Sequence, residues 1–100
     1  MKDYSEFEEA SPFGPSNNSG VYGVFITTKI KTRCVYIGSS QNIQKRVNRD
    51  QHLYRKIYDK FSNYETHVYT RQIICNDYSL KEKELIRKYK PLLNKMRYGA

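Results

Sequence analysis

No apolar run in this 100-residue chain approaches the roughly 20 residues that a membrane-spanning helix needs. The longest strand-like stretch, Val21 to Ile26, is interrupted by Tyr22 and Gly23. The first residues, Met1-Lys2-Asp3-Tyr4-Ser5-Glu6, lack the basic and apolar regions of a secretion signal. Cysteine is scarce: Cys34 and Cys75 stand alone, with no paired metal-type spacing and no disulfide framework. These absences exclude a membrane partner and point to a reducing, cytoplasmic compartment. The length and the mass of 11.9 kDa hold one domain with one modest core and no separate appendage. Mean hydropathy is low at −0.84, but ten Tyr and four Phe argue against disorder, because disordered chains are aromatic-poor.

Acidic residues are also in short supply. Lys and Arg number 18 against 10 Asp and Glu, a net charge of +8. Residues 1–18 hold Lys2 against Asp3, Glu6, Glu8 and Glu9, a balance of −3, whereas residues 19–100 hold 17 bases against 6 acids. Such a basic excess is what a polyanion meets, since neutralising phosphates releases condensed counterions. A basic amphipathic helix with exposed apolar bulk, the mark of a membrane-surface role, does not stand out.

The pattern along the chain predicts an α+β fold. Residues 1–19, with breakers from Ser11 to Ser19, read as a flexible acidic tail, and residues 20–100 as the folded domain. The acidic half of that tail is a candidate to lie over the basic face as a phosphate mimic. Gly20 to Thr28 and Arg33 to Gly38 read as a β-hairpin, with a loop around Lys29-Ile30-Lys31 longer than a two-residue turn. Ser40 is a candidate N-cap for a helix over residues 42–49, in which Ile43 and Val47 share a face. Leu53, Ile57 and Phe61 repeat that spacing in a second helix, Glu65 to Ile74 reads as a strand, and Asp77-Tyr78-Ser79 opens a last helix that Pro91 stops. The order β-β-α-α-β-α fits an antiparallel sheet flanked by helices.

Several residues stand out for chemistry. Glu82 shares a helix face with Leu85, Ile86 and Tyr89, while Glu84 falls on the solvated side. A carboxylate on an apolar face must be protonated, paired or metal-bound. Alternatively, Ser79 and Glu82 form a capping box, in which the Glu returns to the N-cap amide. Tyr22 and Tyr36 flank the hairpin; whether both phenols share one face depends on the loop's centre, which the sequence does not fix. Arg46 lies on the helix just after a glycine turn.

Taken together, Gly20-Val21-Tyr22, Tyr36-Ile37-Gly38-Ser39-Ser40, Ile43-Gln44-Lys45-Arg46-Val47, and Glu82 followed by Pro91 and Asn94 resemble the GIY-YIG nuclease family over residues 20–94. The resemblance implies a three-stranded antiparallel sheet flanked by helices and metal-dependent cleavage of double-stranded DNA, with no small-molecule cofactor. It implies that Tyr22 deprotonates or orients the attacking water and that Tyr36 hydrogen-bonds water or phosphate. Arg46 would then hold the scissile phosphate, Glu82 would bind one Mg²⁺ or Mn²⁺, and Asn94 would support the site. One carboxylate suits Mg²⁺, which dehydrates reluctantly. A phenol with a free pKa near about 10 needs cations beside it to act as a base.

The chain also departs from the family pattern. Thirteen residues separate the two tyrosine motifs, more than is common, which offers Lys29, Lys31 and Arg33 to backbone phosphates; Lys45, Arg49, Arg55 and Lys56 are further nucleic-acid candidates. Where the family often has His or Tyr four residues after the Arg, this chain has Asp50, either a second carboxylate near the metal or an i, i+4 partner for Arg46. His52 or Tyr54 is a candidate for the missing group. Ser39 stands where some members carry a Lys. Two other functions remain open: a DNA-binding module of the same fold that no longer cuts, and a basic RNA-associated protein that stacks bases on exposed Tyr.

Overall fold

The computed structural model describes residues 4–9, 14–61 and 67–94, without the side chain of Phe61. The strands are β1 (Glu8–Glu9), β2 (Gly20–Thr27), β3 (Thr32–Ser40) and β4 (His67–Ile74). The helices are α1 (Ile43–Arg49), α2 (Gln51–Phe61) and α3 (Tyr78–Tyr89). All strand pairs are antiparallel, in the order β1-β4-β2-β3. The expected strand start at Glu65, the breakers Ser11 to Phe13 and the expected domain end at 95–100 lie outside the described residues. No helix among the described residues is long and apolar enough to cross a membrane.

β2 is buried from Gly20 to Ile26 because it is central in the sheet and covered on both faces, so its sequence is continuously apolar rather than alternating. Tyr22, Val24 and Ile26 pack on one face against Ile43 and Val47 of α1 and Ile57 of α2. Val21 and Phe25 pack on the other against Leu85 and Tyr89 of α3. The arrangement is three-layered.

The α+β class holds, but the sheet has four strands where three were expected. The fourth comes from the segment expected to be a tail. Glu8 and Glu9 pair with Gln72 and Arg71, and Tyr4 and Phe7 are buried in the α3-side core. Further along, the carbonyls of Asn18 and Ser16 accept from the Ile43 and Gln44 amides at 3.1 and 2.9 Å, satisfying donors that the start of α1 cannot pair internally. A flexible chain end would bury no such rings and fill no such gaps.

Helix ends also differ in detail from the sequence reading. Asn42, not Ser40, caps α1, its side chain accepting from the Lys45 amide at 3.0 Å, while Ser40 Oγ accepts from the Asn42 amide. Ser79 sits inside the first turn of α3, behind the N-cap Asp77, so the capping-box alternative for Glu82 is not formed.

β3 is an edge strand, and an edge leaves backbone groups to be paired. Beyond the stop at Pro91, Asn94 does this: its Oδ1 accepts from the Ile37 amide at 2.7 Å and its Nδ2 donates to the Ile37 carbonyl at 2.8 Å. The buried side-chain amide thus imitates a neighbouring strand. Asn94→Ala should cost about 2 kcal/mol by leaving both groups unpaired. Urea melting checks this, and an unchanged midpoint would show that Asn94 is no staple.

Candidate active site

The hairpin loop holds four residues, Thr28 to Lys31, between the paired Thr27 and Thr32. Continued without a break, that ladder would set Tyr22 opposite Ile37 and turn Tyr36 to the far face. A β-bulge prevents this. Phe25 pairs with Cys34, but Val24 pairs with Tyr36, so β3 carries one extra residue there. Tyr22 then lies opposite Gly38, and both phenols share the α1 face, with ring centroids 6.1 Å apart. Gly38 is required at this point: a Cβ on it would stand 2.5 Å from the Tyr22 hydroxyl oxygen.

α1 brings Arg46 to the same place, and the chain turns at Asp50, the C-cap of that helix. One oxygen of Asp50, Oδ2, accepts from Arg46 Nε at 2.8 Å and from the Tyr22 hydroxyl at 3.2 Å. The i, i+4 pairing with Arg46, one of the two readings open for Asp50, is formed. Asp50 also binds a phenol 28 residues away in sequence. The ion pair is partly buried, with 22% of the Arg46 side chain and 14% of the Asp50 side chain exposed.

Electrostatics follow from this packing. Burial pushes the Tyr22 phenol well above its ordinary value; the neighbouring Tyr36 and Asp50 add to the rise, and Arg46 opposes it. Tyr22 therefore keeps its proton near neutrality and donates it to Asp50. The hydrogen bond to Asp50 raises Arg46 in turn, so the guanidinium stays charged. Tyr54 on α2 adds a third phenol. Its hydroxyl lies 2.7 Å from Thr70 Oγ1, and burial lifts it to about 12 despite that bond.

His52 is exposed and lines an open groove along α2 with Arg55, Lys56 and Tyr58. Among the described residues it makes no hydrogen bond to the Tyr22 cluster. Of the two candidates for the missing group, Tyr54 is the one near enough to Asp50 and Tyr36 to feel their electrostatic influence.

Glu82 lies on α3, and its Oε2 accepts from Ser39 Oγ at 2.5 Å. Ser39 pairs with Val21 and so faces the α3 layer, whereas Gly38 carries Tyr22 on the opposite face. Glu82 and the Tyr22 cluster thus meet the same end of β3 at consecutive residues, one from each side. Asn94 fixes the backbone of Ile37, the residue between Tyr36 and Gly38.

Comparison with protein-family models, curated proteins and solved structures gave no match.

The basic candidates form two exposed groups. Lys45, Arg49, Arg55 and Lys56 are on α1 and α2, while Lys29, Lys31 and Arg33 are at the far end of the hairpin. Among the described residues no three His, Cys, Asp or Glu side chains come together as a metal cage. Glu82, half-buried and with its serine contact, instead suits a cation that keeps most of its water and takes one protein carboxylate.

What sequence reasoning missed is the shared oxygen of Asp50 and the bulge. The loop's even number of residues signals that something must correct the parity if Tyr22 and Tyr36 are to act together.

Proposed function

We propose that this chain is a divalent-metal-dependent DNA endonuclease that hydrolyses phosphodiester bonds, with the GIY-YIG-like arrangement of its resemblance. The observation that carries the proposal is the convergence of Tyr22 and Arg46 on Asp50 beside Tyr36. Tyr22 and Tyr36 are 0% and 2% exposed, so the attacking water in this reading is one enclosed beside their hydroxyls. As the water oxygen bonds to phosphorus, its proton passes to the Tyr22 oxygen, and the Tyr22 proton passes to Asp50. No free tyrosinate is needed, which removes the difficulty posed by the raised Tyr22.

One phosphorus–oxygen ester bond breaks, and its departing oxygen takes a proton from solvent. Arg46 bonds Asp50 through Nε, a contact that does not engage the terminal nitrogens suited to phosphate oxygens. Glu82, which reaches the same end of β3 from the α3 side, would hold a divalent ion, and that ion would supply neutralisation of charge on the phosphate and the departing oxygen. The exposed bases of α1 and α2 supply backbone affinity without reading sequence.

Supercoiled plasmid tests this directly. The wild-type chain should nick it with Mg²⁺ and not with EDTA, and Glu82→Ala and Tyr22→Phe should both lose nicking while still retarding DNA. Retardation without nicking by the wild type, unchanged in Glu82→Ala, would overturn the cleavage reading in favour of a non-cleaving DNA-binding module. One observation favours that second reading: Asp50 already compensates the charge of Arg46.

A further inference from the structure

We propose that the tip of the β2–β3 hairpin is a duplex-DNA wedge, in which Ile30 enters a base step while Lys29 and Lys31 hold the flanking phosphates. This rests on DNA as the partner in the reading above, but not on cleavage. Ile30 is 87% exposed, the most exposed of the large hydrophobic side chains among the described residues. It stands between two exposed lysines, with Arg33 exposed just beyond.

The loop that presents it is built, not loose. The Thr28 amide donates to the Lys31 carbonyl at 2.9 Å. Thr28 Oγ1 accepts from the Ile30 and Lys31 amides, each at 3.3 Å. Below the loop, the Thr27 hydroxyl bonds those of Thr32 and Tyr69 at 3.0 and 3.1 Å. Such a tip loses little conformational freedom on binding.

The chemistry favours duplex DNA over a lipid surface. Membrane binding scales with buried apolar area, and one aliphatic side chain supplies little. A base step, by contrast, takes a single apolar wedge, and isoleucine is among the residues used so. The lysines and the +8 net charge complement the phosphates on either side. Along the strands the tip lies about 20 Å from Tyr22, roughly six base steps away. The wedge would therefore unstack DNA at a distance from the phosphate being cut.

The test uses the full chain in EDTA, so that cleavage plays no part, and a short alternating A·T duplex with one central 2-aminopurine. Wild-type protein should raise the 2-aminopurine fluorescence on binding. Ile30→Ala should abolish the rise and bind about tenfold more weakly, with the salt dependence unchanged. Ile30→Leu should restore both. Lys29→Ala and Lys31→Ala should each lower the slope of log affinity against log salt by about 0.9.

A bound duplex with unchanged fluorescence overturns the proposal. So does Ile30-dependent binding to phosphatidylcholine–phosphatidylserine vesicles without unstacking, which would assign the tip to a lipid surface. Loss of plasmid nicking with the fluorescence rise intact would sink the nuclease reading alone, and the reverse would sink the wedge alone.

Discussion

Asp50→Asn should lower plasmid nicking by about 10²- to 10³-fold and leave DNA retardation intact. The amide keeps the shape of the carboxylate and still accepts a hydrogen bond, so Tyr22 and Arg46 stay near their places. It does not take a proton. If the water's proton ends on Asp50, as the single oxygen shared by Tyr22 and Arg46 implies, the amide stops the relay at its last member.

Tyr22→Phe removes the middle member, so the double variant should lose little more than the worse single one. The structural cost is modest: an i, i+4 pair at the end of a helix, partly exposed, contributes about 1 kcal/mol. DNA affinity should hold or rise, because Arg46 no longer faces a carboxylate. Single-turnover nicking with bound plasmid separates the two effects. Wild-type nicking by Asp50→Asn would reduce Asp50 to a tether, and faster nicking would make it a competitor for the phosphate's place on Arg46.

Much of this site was legible in the sequence, and the reasons for the remainder are physical. The inward turn of Glu82 followed from helix geometry, with Leu85 and Tyr89 buried on its side and Glu84 exposed beside Lys81. Whether Glu82 capped its own helix depended on the helix starting at Tyr78 or after Ser79, a shift that local pattern does not resolve. The pairing of Arg46 with Asp50 was readable as an i, i+4 option, because both lie on one turn. The bond from Tyr22 to Asp50 was not, because it joins residues 28 apart on different elements, nor was the shared face of Tyr22 and Tyr36, which depends on a bulge. That bulge follows from filling two cores at once: Val35 and Tyr36 both turn to the α1 layer, while Cys34 and Ile37 turn to α3. Strand β1 left no signal because its two residues are glutamates on an edge. The informative residues were Tyr4 and Phe7 beside them, two rings in a stretch otherwise read by its charge.

Those rings support the largest expected loss of stability. Phe7→Ala should cost about 3–5 kcal/mol, the usual range for deleting a buried aromatic ring. Phe7 is 1% exposed; its ring packs edge-on against Phe25 at 5.2 Å and lies 6.3 Å from Tyr89. Gly23 lets it approach β2, since a Cβ there would stand 3.1 Å from the ring of Phe7. In a chain of this length each kcal/mol shifts the melting midpoint by about 4–8 °C, so the variant should melt roughly 12–40 °C lower.

The neighbouring Tyr4 links this packing to the site. Its hydroxyl accepts from the Cys34 amide at 3.2 Å, beside the bulge that aligns Tyr22 with Tyr36. Glu6 ties the same segment to α3, accepting from the Tyr89 hydroxyl at 2.8 Å and pairing with Lys88 at 3.5 Å. This is the partner the acidic segment finds on the basic surface. Loosening Phe7 should therefore also raise amide exchange at Cys34, which Tyr4→Phe should do at far smaller cost in stability. A Phe7→Ala chain that melts with the wild type would return residues 4–9 to the status of a tail and leave the bulge without its brace.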